Sequence, residues 1–346
     1  MSNNALDAKE AEVLREMGYD PETHFIVGDV RVSRWQSGDN WNTSYKAKVA
    51  ERPSGASVDE LVARLKRHRK HTPQPTGDWS FVVNLADWQI GKKDGDGVSG
   101  TTDRLLQMVD DVESRIRELR RLKRPIGHLV IAGLADLAEG CVGHYASQTF
   151  SVELNRREQL RLVRALLTEA ISRWAKLFDR VTVLAVPGNH GENRLDGKAF
   201  TSVGDNDDVA VFEAVKEAFD MVPEAYGHIE WILPENQIEV VLPIGPGVCF
   251  THGHIAGRGA TPQEKQVNWW KGQVFGGLAA GNAQILVTAH FHHFQVSERS
   301  GRLWLQCPAQ DGGSDWFERA TGEWSRPGTL TFVVTDTWVT DIAVLG

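Results

Sequence analysis

Five short polar clusters in the sequence contain the residue types that bind divalent metal ions. Each cluster directly follows an apolar stretch, and together they supply carboxylates, imidazoles and amide oxygens but no thiolate. The clusters are Asp87 with Gln89, Asp136 with Glu139, Asn189 with His190 and Glu192, His252 with His254, and His290 with His292 and His293. These ligands favour Mn, Fe, Zn or Ni over a cysteine-rich structural zinc site. A carboxylate shared by two such cations is a general device for activating water against a phosphoryl group.

Each cluster alone has a simpler interpretation. An aspartate after a strand is more often a turn or helix cap than a ligand, and Gly188-Asn189 alone could form an ordinary turn. A His-x-His pair alone is as often a surface feature as a pair of ligands. The joint occurrence of these clusters, all after apolar stretches, favours one convergent metal site.

The apolar stretches before the clusters predict the strands FVVNLA, HLVIAG, VTVLAV, GVCF and QILVTA. Helices predicted over residues 103–121, 153–178 and 207–219 alternate with the first three. After about residue 227 strand candidates dominate, and one helix over residues 263–280 interrupts them. This order predicts a layered α/β domain whose sheet core is covered by helices. Because ligand sites assemble at the carboxyl ends of strands in such sheets, the five clusters are expected to converge.

The first 76 residues predict a separate small unit. A helix is expected over residues 5–17, followed by the strands HFIVGDVRVSRW and NTSYKAKVA around a turn. Residues 64–71 are basic, and the stretch TPQPTG after them predicts a linker that ends near residue 76. The basic stretch fits a solvated helix face or linker, and the alternative is an arm that contacts a nucleic-acid backbone.

The composition bounds the class of protein. With 346 residues, 41% apolar and 24% charged, the chain fits a soluble globular protein of one large and one small domain. Neither a signal peptide nor an apolar run long enough to span a membrane is visible, so a cytoplasmic protein is expected. Three scattered cysteines indicate a reducing compartment. The net charge of −8 argues against nucleic-acid binding through overall charge, but a metal centre reverses the local field.

The order of the clusters resembles the calcineurin-like metallophosphoesterase superfamily. The similarity covers about residues 79–335, and the stretches GNHGE and THGH are its most specific parts. The sequence looks most like the DNA-repair exonuclease branch and related bacteriophage enzymes. The resemblance implies a layered α/β/β/α sandwich over residues 77–346, after a small N-terminal α+β unit. It also implies two divalent cations, preferably Mn²⁺, with Fe²⁺, Zn²⁺ or Ni²⁺ as alternatives.

The resemblance also implies a role for each matching position. The assignments are Asp87, Gln89 and His292 for a first cation, Asp136 as a bridge between both cations, Asn189, His252 and His290 for a second cation, His190 as the catalytic histidine, and Glu139 and Glu192 as groups that orient their neighbours. In this scheme His190 would contact the phosphate and protonate the leaving oxygen.

Three positions depart from the family pattern. Gln89 stands where the family has a histidine, and Ala135 and Ala289 stand where it has glycines. Each alanine adds a Cβ atom to a tight turn. An amide oxygen is a weaker ligand than an imidazole for Mn or Zn, so the first cation is expected to bind less tightly than the second.

Three segments outside the clusters are candidates for substrate contact. They are the stretch after Asp136 with Tyr145, Gln148, Arg156 and Arg157, the stretch QEKQVNWWKGQ with Lys265, Trp269, Trp270 and Lys271, and the Gly-rich stretch CPAQDGGSDWFE near the cleft rim. Aromatic residues between cations suit single-stranded nucleic acid, whose bases stack. The alternative is that at least one of the tryptophans packs its helix into the core.

The preferred function is therefore a Mn-dependent DNA exo- or endonuclease of replication, recombination or repair. A phosphomonoesterase or cyclic-nucleotide diesterase acting on a small molecule or phosphoprotein is the alternative, and a non-catalytic scaffold is a third. The resemblance further implies DNA as substrate, an ATPase partner subunit or a homodimer as possible assemblies, and no membrane. If the source is a bacteriophage, the location is the cytoplasm of the bacterial host.

Overall fold

A computed structural model describes most of the chain, and it divides into two compact units. The described residues are 11–21, 24–38, 40–51, 58–67, 70–195, 197–313, 318–319, 322 and 324–346. The division by internal contacts separates Met1–Gly55 from Ala56–Gly346.

The first unit contains a long antiparallel hairpin. Strand β1 (His24–Ser37) pairs with β2 (Asn40–Glu51) in the register Ser37 opposite Asn40, with an irregularity between Val27 and Arg31. Residues 11–16 are helical, whereas residues 5–10 of the predicted helix lie outside the described residues. The hairpin confirms the two predicted strands.

The second unit begins before the boundary that composition predicts near residue 76. Helix α1 (Val58–Leu65) buries Leu61 and Leu65 completely in the main apolar core, so this segment belongs to the larger unit by its contacts. Within the basic stretch, Arg64, Lys66 and Arg67 are exposed, as on a solvated face. His68 and Arg69 lie outside the described residues.

The remaining elements of the second unit follow in chain order. They are β3 (Trp79–Leu85), α2 (Gly97–Arg121), β4 (Ile126–Gly133), α3 (Arg156–Ala175), β5 (Arg180–Ala185), β6 (Arg194–Leu195), β7 (Lys198–Ala199), α4 (Asp207–Asp220), α5 (Pro223–Tyr226), β8 (Ile229–Ile232), β9 (Glu239–Leu242), β10 (Val248–Thr251), α6 (Pro262–Phe275), α7 (Ala279–Asn282), β11 (Ile285–Thr288), β12 (Gln295–Arg299), β13 (Arg302–Gln306), β14 (Thr329–Val334) and β15 (Val339–Leu345).

Two sheets form the centre of this unit. One has the strand order β15-β14-β3-β4-β5-β8, and the other has the order β12-β13-β11-β10-β9. Strands β3, β4, β5 and β8 are parallel, as are β10, β11 and β13. The strands that precede the polar clusters therefore end at common edges of their sheets.

The layers are held by three apolar clusters. Val82 and Val130 of the first sheet pack against Phe250 and Val287 of the second, which makes the sheet-to-sheet core. Helices α2, α3 and α4 cover the outer face of the first sheet through a larger cluster that includes Trp174. Helices α6 and α7 cover the outer face of the second sheet. The predicted layered α/β/β/α sandwich is confirmed.

Several element boundaries differ from those the sequence predicts. The helix expected over residues 153–178 begins at Arg156, because Asn155 caps it together with Glu158. The helix expected over residues 263–280 is two helices, separated around Gly276. The edge strands β12 and β15 were not predicted. Exposed polar residues hide the strand pattern in β12, whereas β15 is mainly apolar and was missed despite its pattern. Within the described residues, no helix is long and apolar enough to cross a membrane.

Candidate metal centre

The five polar clusters meet because the backbones that follow the strands are bonded to each other. The amide of Asp87 donates to the carbonyl of Ala135, and that of Gln89 donates to the carbonyl of Asp136, both at 3.0 Å. The two sheets are joined by the amide of His290, which donates to Asp87 Oδ2 at 3.0 Å. The first and last clusters of the sequence therefore contact each other directly.

Backbone conformations at these loops are unfavourable for ordinary residues. Positive φ angles occur at Asp87 (47°), Gln89 (43°), Ala135 (70°), Asp136 (51°), His290 (72°) and His292 (59°). Each such conformation costs roughly 1–3 kcal/mol, and such residues cluster at functional sites. The alanine that replaces glycine before Asp136 is thus accommodated, but in a left-handed conformation. Ala289 does not require one.

A compact group of donors forms around Asp136. One ligand atom each of Asp136, His252 and His290 lies within 4.8 Å of the others, which is close enough to hold one metal ion. His252 Nε2 lies 2.9 Å from Asp136 Oδ2 and 3.2 Å from Asn189 Oδ1. His252 Nδ1 lies 2.7 Å from the carbonyl oxygen of Leu134. Because a carbonyl only accepts, Nδ1 carries the proton, and Nε2 points at Asp136.

Charge at this group is strongly coupled. Burial disfavours the charged form of both partners, but their contact outweighs burial. Asp136 raises the pKa of His252 to about 10, and His252 together with His190 holds the pKa of Asp136 well below its usual range. Burial and the neighbouring His252 lower the pKa of His290 to about 3. The buried Asp136 carboxylate is thus stabilised by the positive charge of His252, which a divalent cation held by the two side chains would replace.

A second group of donors surrounds Asp87. Its Oδ1 lies 3.4 Å from His292 Nε2, and Gln89 Nε2 lies 3.3 Å from the same ring nitrogen. His292 Nδ1 lies 3.9 Å from Asp311 Oδ2, and Asp311 forms an ion pair with Lys92. Asp87 is completely buried, and among the described residues its Oδ1 has no hydrogen-bond donor of good geometry. Gln89 therefore lies at the position where the resemblance expects a ligand.

His190 lies beside Asp136. Its amide donates to Asp136 Oδ1 at 2.8 Å, and its Nδ1 lies 2.7 Å from the carbonyl oxygen of Glu139. Nδ1 is therefore the donor, and Nε2 remains available to carry or transfer a proton. The ring stacks on His144 at a centroid distance of 4.4 Å and an interplanar angle of 5°. The ring is fixed in orientation while its side chain stays 13% exposed.

The two glutamates lie behind the histidines. Glu139 Oε2 is 3.4 Å from His190 Nδ1, and burial raises the pKa of Glu139. Glu192 accepts from Arg194 at 2.8 Å and lies 3.6 Å from His254 Nε2. Both glutamates thus contact histidines next to the centre, as expected for groups that orient their neighbours.

Residues predicted to contact substrate after Asp136 have other partners. The hydroxyl of Tyr145 donates to Glu139 Oε1 at 2.7 Å, and Gln148 is buried with its amide donating to the carbonyl of Glu139. Arg156 donates to Asp207 at 2.6 Å. Arg157 alone of these predicted contacts is exposed without a described partner.

The prediction for helix α6 needs a correction. Trp270 is buried, its indole donates to the carbonyl of Ala280 at 2.9 Å, and Arg302 lies over its ring. Its ring is part of the core and is not available for stacking on bases. Trp269 is half-buried against the same apolar cluster, whereas Lys271 is exposed.

Lys265 Nζ lies 5.6 Å from the centre of the Phe291 ring, in the loop that carries His290 and His292. Residues 314–317 of the predicted Gly-rich rim lie outside the described residues.

Sequence reasoning missed three features of the centre. Asp208 Oδ1 accepts from the amide of Leu137 at 2.9 Å, and burial together with Asp136 raises the pKa of Asp208 to about 7. A Cβ on Gly188 would lie 2.2 Å from Asp136 Oδ1, so only glycine fits there. The third feature is the Lys92–Asp311 ion pair. Only Gly188 had a local signal, in the stretch PGNH.

Comparisons with known proteins yield structural likenesses of low similarity. No protein-family model matches the sequence, and no curated protein matches it. Vps29 complexed with Zn²⁺ from Entamoeba histolytica is 13% identical, with 77% of this chain and 99% of that chain covered and a TM-score of 0.30. A novel archaeal phosphodiesterase is 12% identical, with 77% and 99% covered and a TM-score of 0.33. A predicted phosphoesterase from Streptococcus pneumoniae is 10% identical, with 77% and 90% covered and a TM-score of 0.30. Similarities this low do not indicate function, which has to be inferred from the site.

Proposed function

We propose that the chain is a metal-dependent phosphoesterase of the calcineurin-like type that hydrolyses phosphodiester bonds in DNA. The observation that carries the proposal is the convergence of five strand-end loops on one buried group of carboxylates and imidazoles, with His190 at its edge. Strained, buried and charged residues of this kind are costly to the fold, and they cluster where a protein does chemistry.

The residues fit the cations that the resemblance implies. Asp87 presents a buried oxygen that has no donor of good geometry in the described part of the chain. His252 and His292 direct Nδ1 towards the carbonyl of Leu134 and the carboxylate of Asp311. Each Nε2 then lies beside a carboxylate of the centre, Asp136 or Asp87. Metal-binding histidines usually have this arrangement, with one ring nitrogen turned to a hydrogen-bond acceptor and the other to the metal.

Two neighbouring positions can be assigned on this basis. Asp87, Gln89, Asp136 and His292 would hold one cation, and Asp136, Asn189, His252 and His290 would hold the other. Divalent cations there would polarise a phosphoryl oxygen and lower the pKa of water.

His190 is placed to act as the general acid. Its Nδ1–H is committed to the carbonyl of Glu139, so Nε2 is the atom that would protonate the leaving oxygen. The Glu139 carboxylate, 3.4 Å from Nδ1, stabilises the ring when it is charged. Stacking on His144 holds the plane of the ring. Together these contacts fix the tautomer and the direction of proton transfer.

Two loops next to His190 support a nucleic-acid substrate. Residues 141–150 contact the described part of residues 192–203 at Arg194, since a Cβ on Gly143 would lie 3.0 Å from Arg194 Cβ. Phe150 and Phe200 on these loops are 83% and 65% exposed. Exposed aromatic rings suit stacking on the bases of a nucleic acid.

The test is incubation of the purified chain with end-labelled linear single- and double-stranded DNA and Mn²⁺. Cleavage by the wild type and its loss in His190→Ala are the expected results, and the product ladder gives the polarity.

Bis-p-nitrophenyl phosphate and p-nitrophenyl phosphate are tested in parallel. Hydrolysis of either small ester without cleavage of DNA would favour the alternative, a small-molecule phosphoesterase. Hydrolysis of none by a folded, metal-loaded protein would contradict phosphoesterase activity and favour a scaffold. An ATPase partner subunit and a homodimer stay predictions.

A further inference from the structure

We propose that the β1–β2 hairpin of the first unit is a binding site for single-stranded DNA that needs no metal ion. The inference goes beyond the proposed function, because it places nucleic-acid recognition in a unit outside the metal centre. It rests on that function only in the choice of DNA over RNA. The side chains of the site lie near the turn, and they are Trp35, Trp41, Arg31, Arg34 and Lys46.

The half of the hairpin next to the turn is exposed on both of its faces. All residues from 31 to 38 are exposed, which includes side chains of both alternating directions. Trp35 is 49% exposed and Trp41 is 69% exposed. Of the three exposed tryptophans among the described residues, two therefore lie six positions apart on this hairpin. Large exposed rings grouped in this way indicate a surface that binds a partner.

One face of the hairpin carries Trp35 together with two cations. Residues opposite each other on paired strands project from the same face, and so do residues two and four positions apart along a strand. Arg31 lies opposite Lys46, and Arg31 is four residues from Trp35, roughly 13 Å along the strand. A base stacked on the indole and the phosphate of a nearby nucleotide can therefore be contacted together.

The other face carries Trp41 and one cation. Trp41 lies opposite Gln36, so Arg34 is its diagonal neighbour across the strands. Arg34 lies opposite Thr43, and its Nε donates to Thr43 Oγ1 at 3.4 Å, which leaves the terminal nitrogens of the guanidinium for a phosphate. Each face thus combines an exposed indole with a cation.

Charge in this part of the hairpin is opposite in sign to the charge of the whole chain. The chain has a net charge of −8, whereas residues 31–46 contain three cations and one acid, Asp39. The other side chains of this stretch are mainly serine, asparagine, threonine and glutamine, so neither face is a continuous apolar surface. Single-stranded DNA fits these properties, because its phosphates are negative and its bases are free to stack on aromatic rings.

The experiment measures binding of the full chain to a fluorescent oligothymidylate of about 20 nucleotides, by anisotropy in EDTA. The chelator removes the cations that hydrolysis requires. Trp35→Ala and Trp41→Ala should each raise Kd by about tenfold, whereas Trp41→Phe keeps a flat ring and should retain most of the affinity. Arg31→Ala should reduce the slope of log Kd against log salt concentration by about 0.7, the value for one phosphate contact on a single strand.

Trp324→Ala is the matched control, because Trp324 is 65% exposed and lies outside the hairpin. It should bind the oligothymidylate as the wild type does. Unchanged affinity in both hairpin variants would overturn the inference and make the two tryptophans a surface for another protein. Tighter binding of a duplex of the same length would overturn the choice of single-stranded DNA.

The inference and the proposed function can fail separately. Cleavage of DNA with Mn²⁺ by a chain that binds no oligothymidylate in EDTA would overturn the inference alone. Binding that depends on Trp35 and Trp41, without hydrolysis of DNA or of a small ester, would overturn the proposed function alone. If both are correct, Trp41→Ala should raise KM for single-stranded DNA and leave hydrolysis of bis-p-nitrophenyl phosphate unchanged.

Discussion

The two ends of strands β3, β4 and β5 bury polar side chains in opposite ways. Near their amino ends, Ser80, His128 and Thr182 form a chain in which both ring nitrogens of His128 have partners at 2.9 Å. Beyond their carboxyl ends, Asp87 Oδ1, Glu139 Oε2 and Asp208 Oδ2 are buried without a hydrogen-bond donor among the residues that the structure describes.

This difference in hydrogen bonding indicates which end of the strands contributes to stability and which to function. A buried polar group with partners contributes to stability, or at least costs little. Each of these carboxylates accepts a hydrogen bond on its other oxygen, but a buried oxygen without a donor costs free energy unless a proton or a bound cation satisfies it. The backbone repeats the contrast in part. Six of the nine positive φ angles at described residues other than glycine lie in the loops of the metal centre, whereas Lys123 lies before the amino end of β4. We infer that the amino ends hold the sheet together, whereas the carboxyl ends store unfavourable energy that ligand binding relieves.

The largest expected effect comes from His190→Ala. Removing a general acid should lower the rate of ester hydrolysis by about 10²–10⁴-fold. The midpoint of thermal unfolding should hardly change, because the ring is partly exposed and packs on His144 alone among aromatic neighbours described. Steady-state kinetics and calorimetry check both. If the variant fails to fold as well as losing activity, His190 contributes to stability, and the proposed difference between the two ends of the strands is wrong.

Two glycines, both near the carboxyl ends of the strands, separate the metal centre from the apolar core beside it, since Gly133 ends β4 and faces Phe212. Gly188→Ala would place a Cβ 2.2 Å from Asp136 Oδ1, and it should reduce both bound metal and activity by about tenfold or more. Gly133→Ala would place a Cβ 2.4 Å from the Phe212 ring, and it should lower the free energy of unfolding by about 1–3 kcal/mol and leave metal content unchanged. Metal analysis and urea unfolding of both variants test this. The opposite assignment would show that Gly188 serves the fold and Gly133 the site.

The pH dependence of stability tests the amino-end network. Burial, with a smaller effect of Arg180, lowers the pKa of His128 to about 4 from an ordinary value of 6.5. In that range the unfolded chain binds a proton that the folded chain does not, so stability falls as the pH falls from 6.5 towards 4. Between about pH 7 and about pH 5 this residue should remove about 2 kcal/mol of unfolding free energy. Urea unfolding at both pH values measures it.

His128→Gln is the control, because glutamine does not titrate. Its loss of stability over the same pH range should be smaller than that of the wild type by the same amount. Parallel pH profiles for the two proteins would show that His128 does not provide this dependence.

The smallest effect is expected at His144, which positions His190 by stacking. His144→Ala should lower kcat by about tenfold with KM unchanged. The ring of His190 keeps its bond to Glu139 but loses the stacked neighbour that holds its plane. His144→Phe keeps a flat ring and should recover most of the rate. Kinetics of both variants give the split between kcat and KM. A rise of KM alone would instead make His144 a substrate contact.

Local sequence predicted much of this protein. Each apolar stretch that was expected to be a strand is one, because alternation of helices and strands with buried faces is a local pattern. The five polar clusters were visible for the same reason, as each directly follows its strand. Strand β12 and the division of the helix around Gly276 were missed, since polar edges and single turns leave weak patterns, whereas β15 was missed although it is mainly apolar.

The sequence by itself determined which residues could act as ligands, the layered class of fold and the order of its elements. Only the tertiary structure decided which of the candidates meet. In the structure Trp270 packs in the core, and Tyr145 and Arg156 bind the carboxylates of Glu139 and Asp207. Asp208 and the Lys92–Asp311 pair lie at the centre, where the sequence did not predict them. Three of these contacts join residues more than 50 positions apart, and the contacts of Tyr145 and Trp270 cross loops of six and ten residues, so local propensity carries no record of them. They are fixed by packing two sheets face to face, and that depends on the whole chain at once.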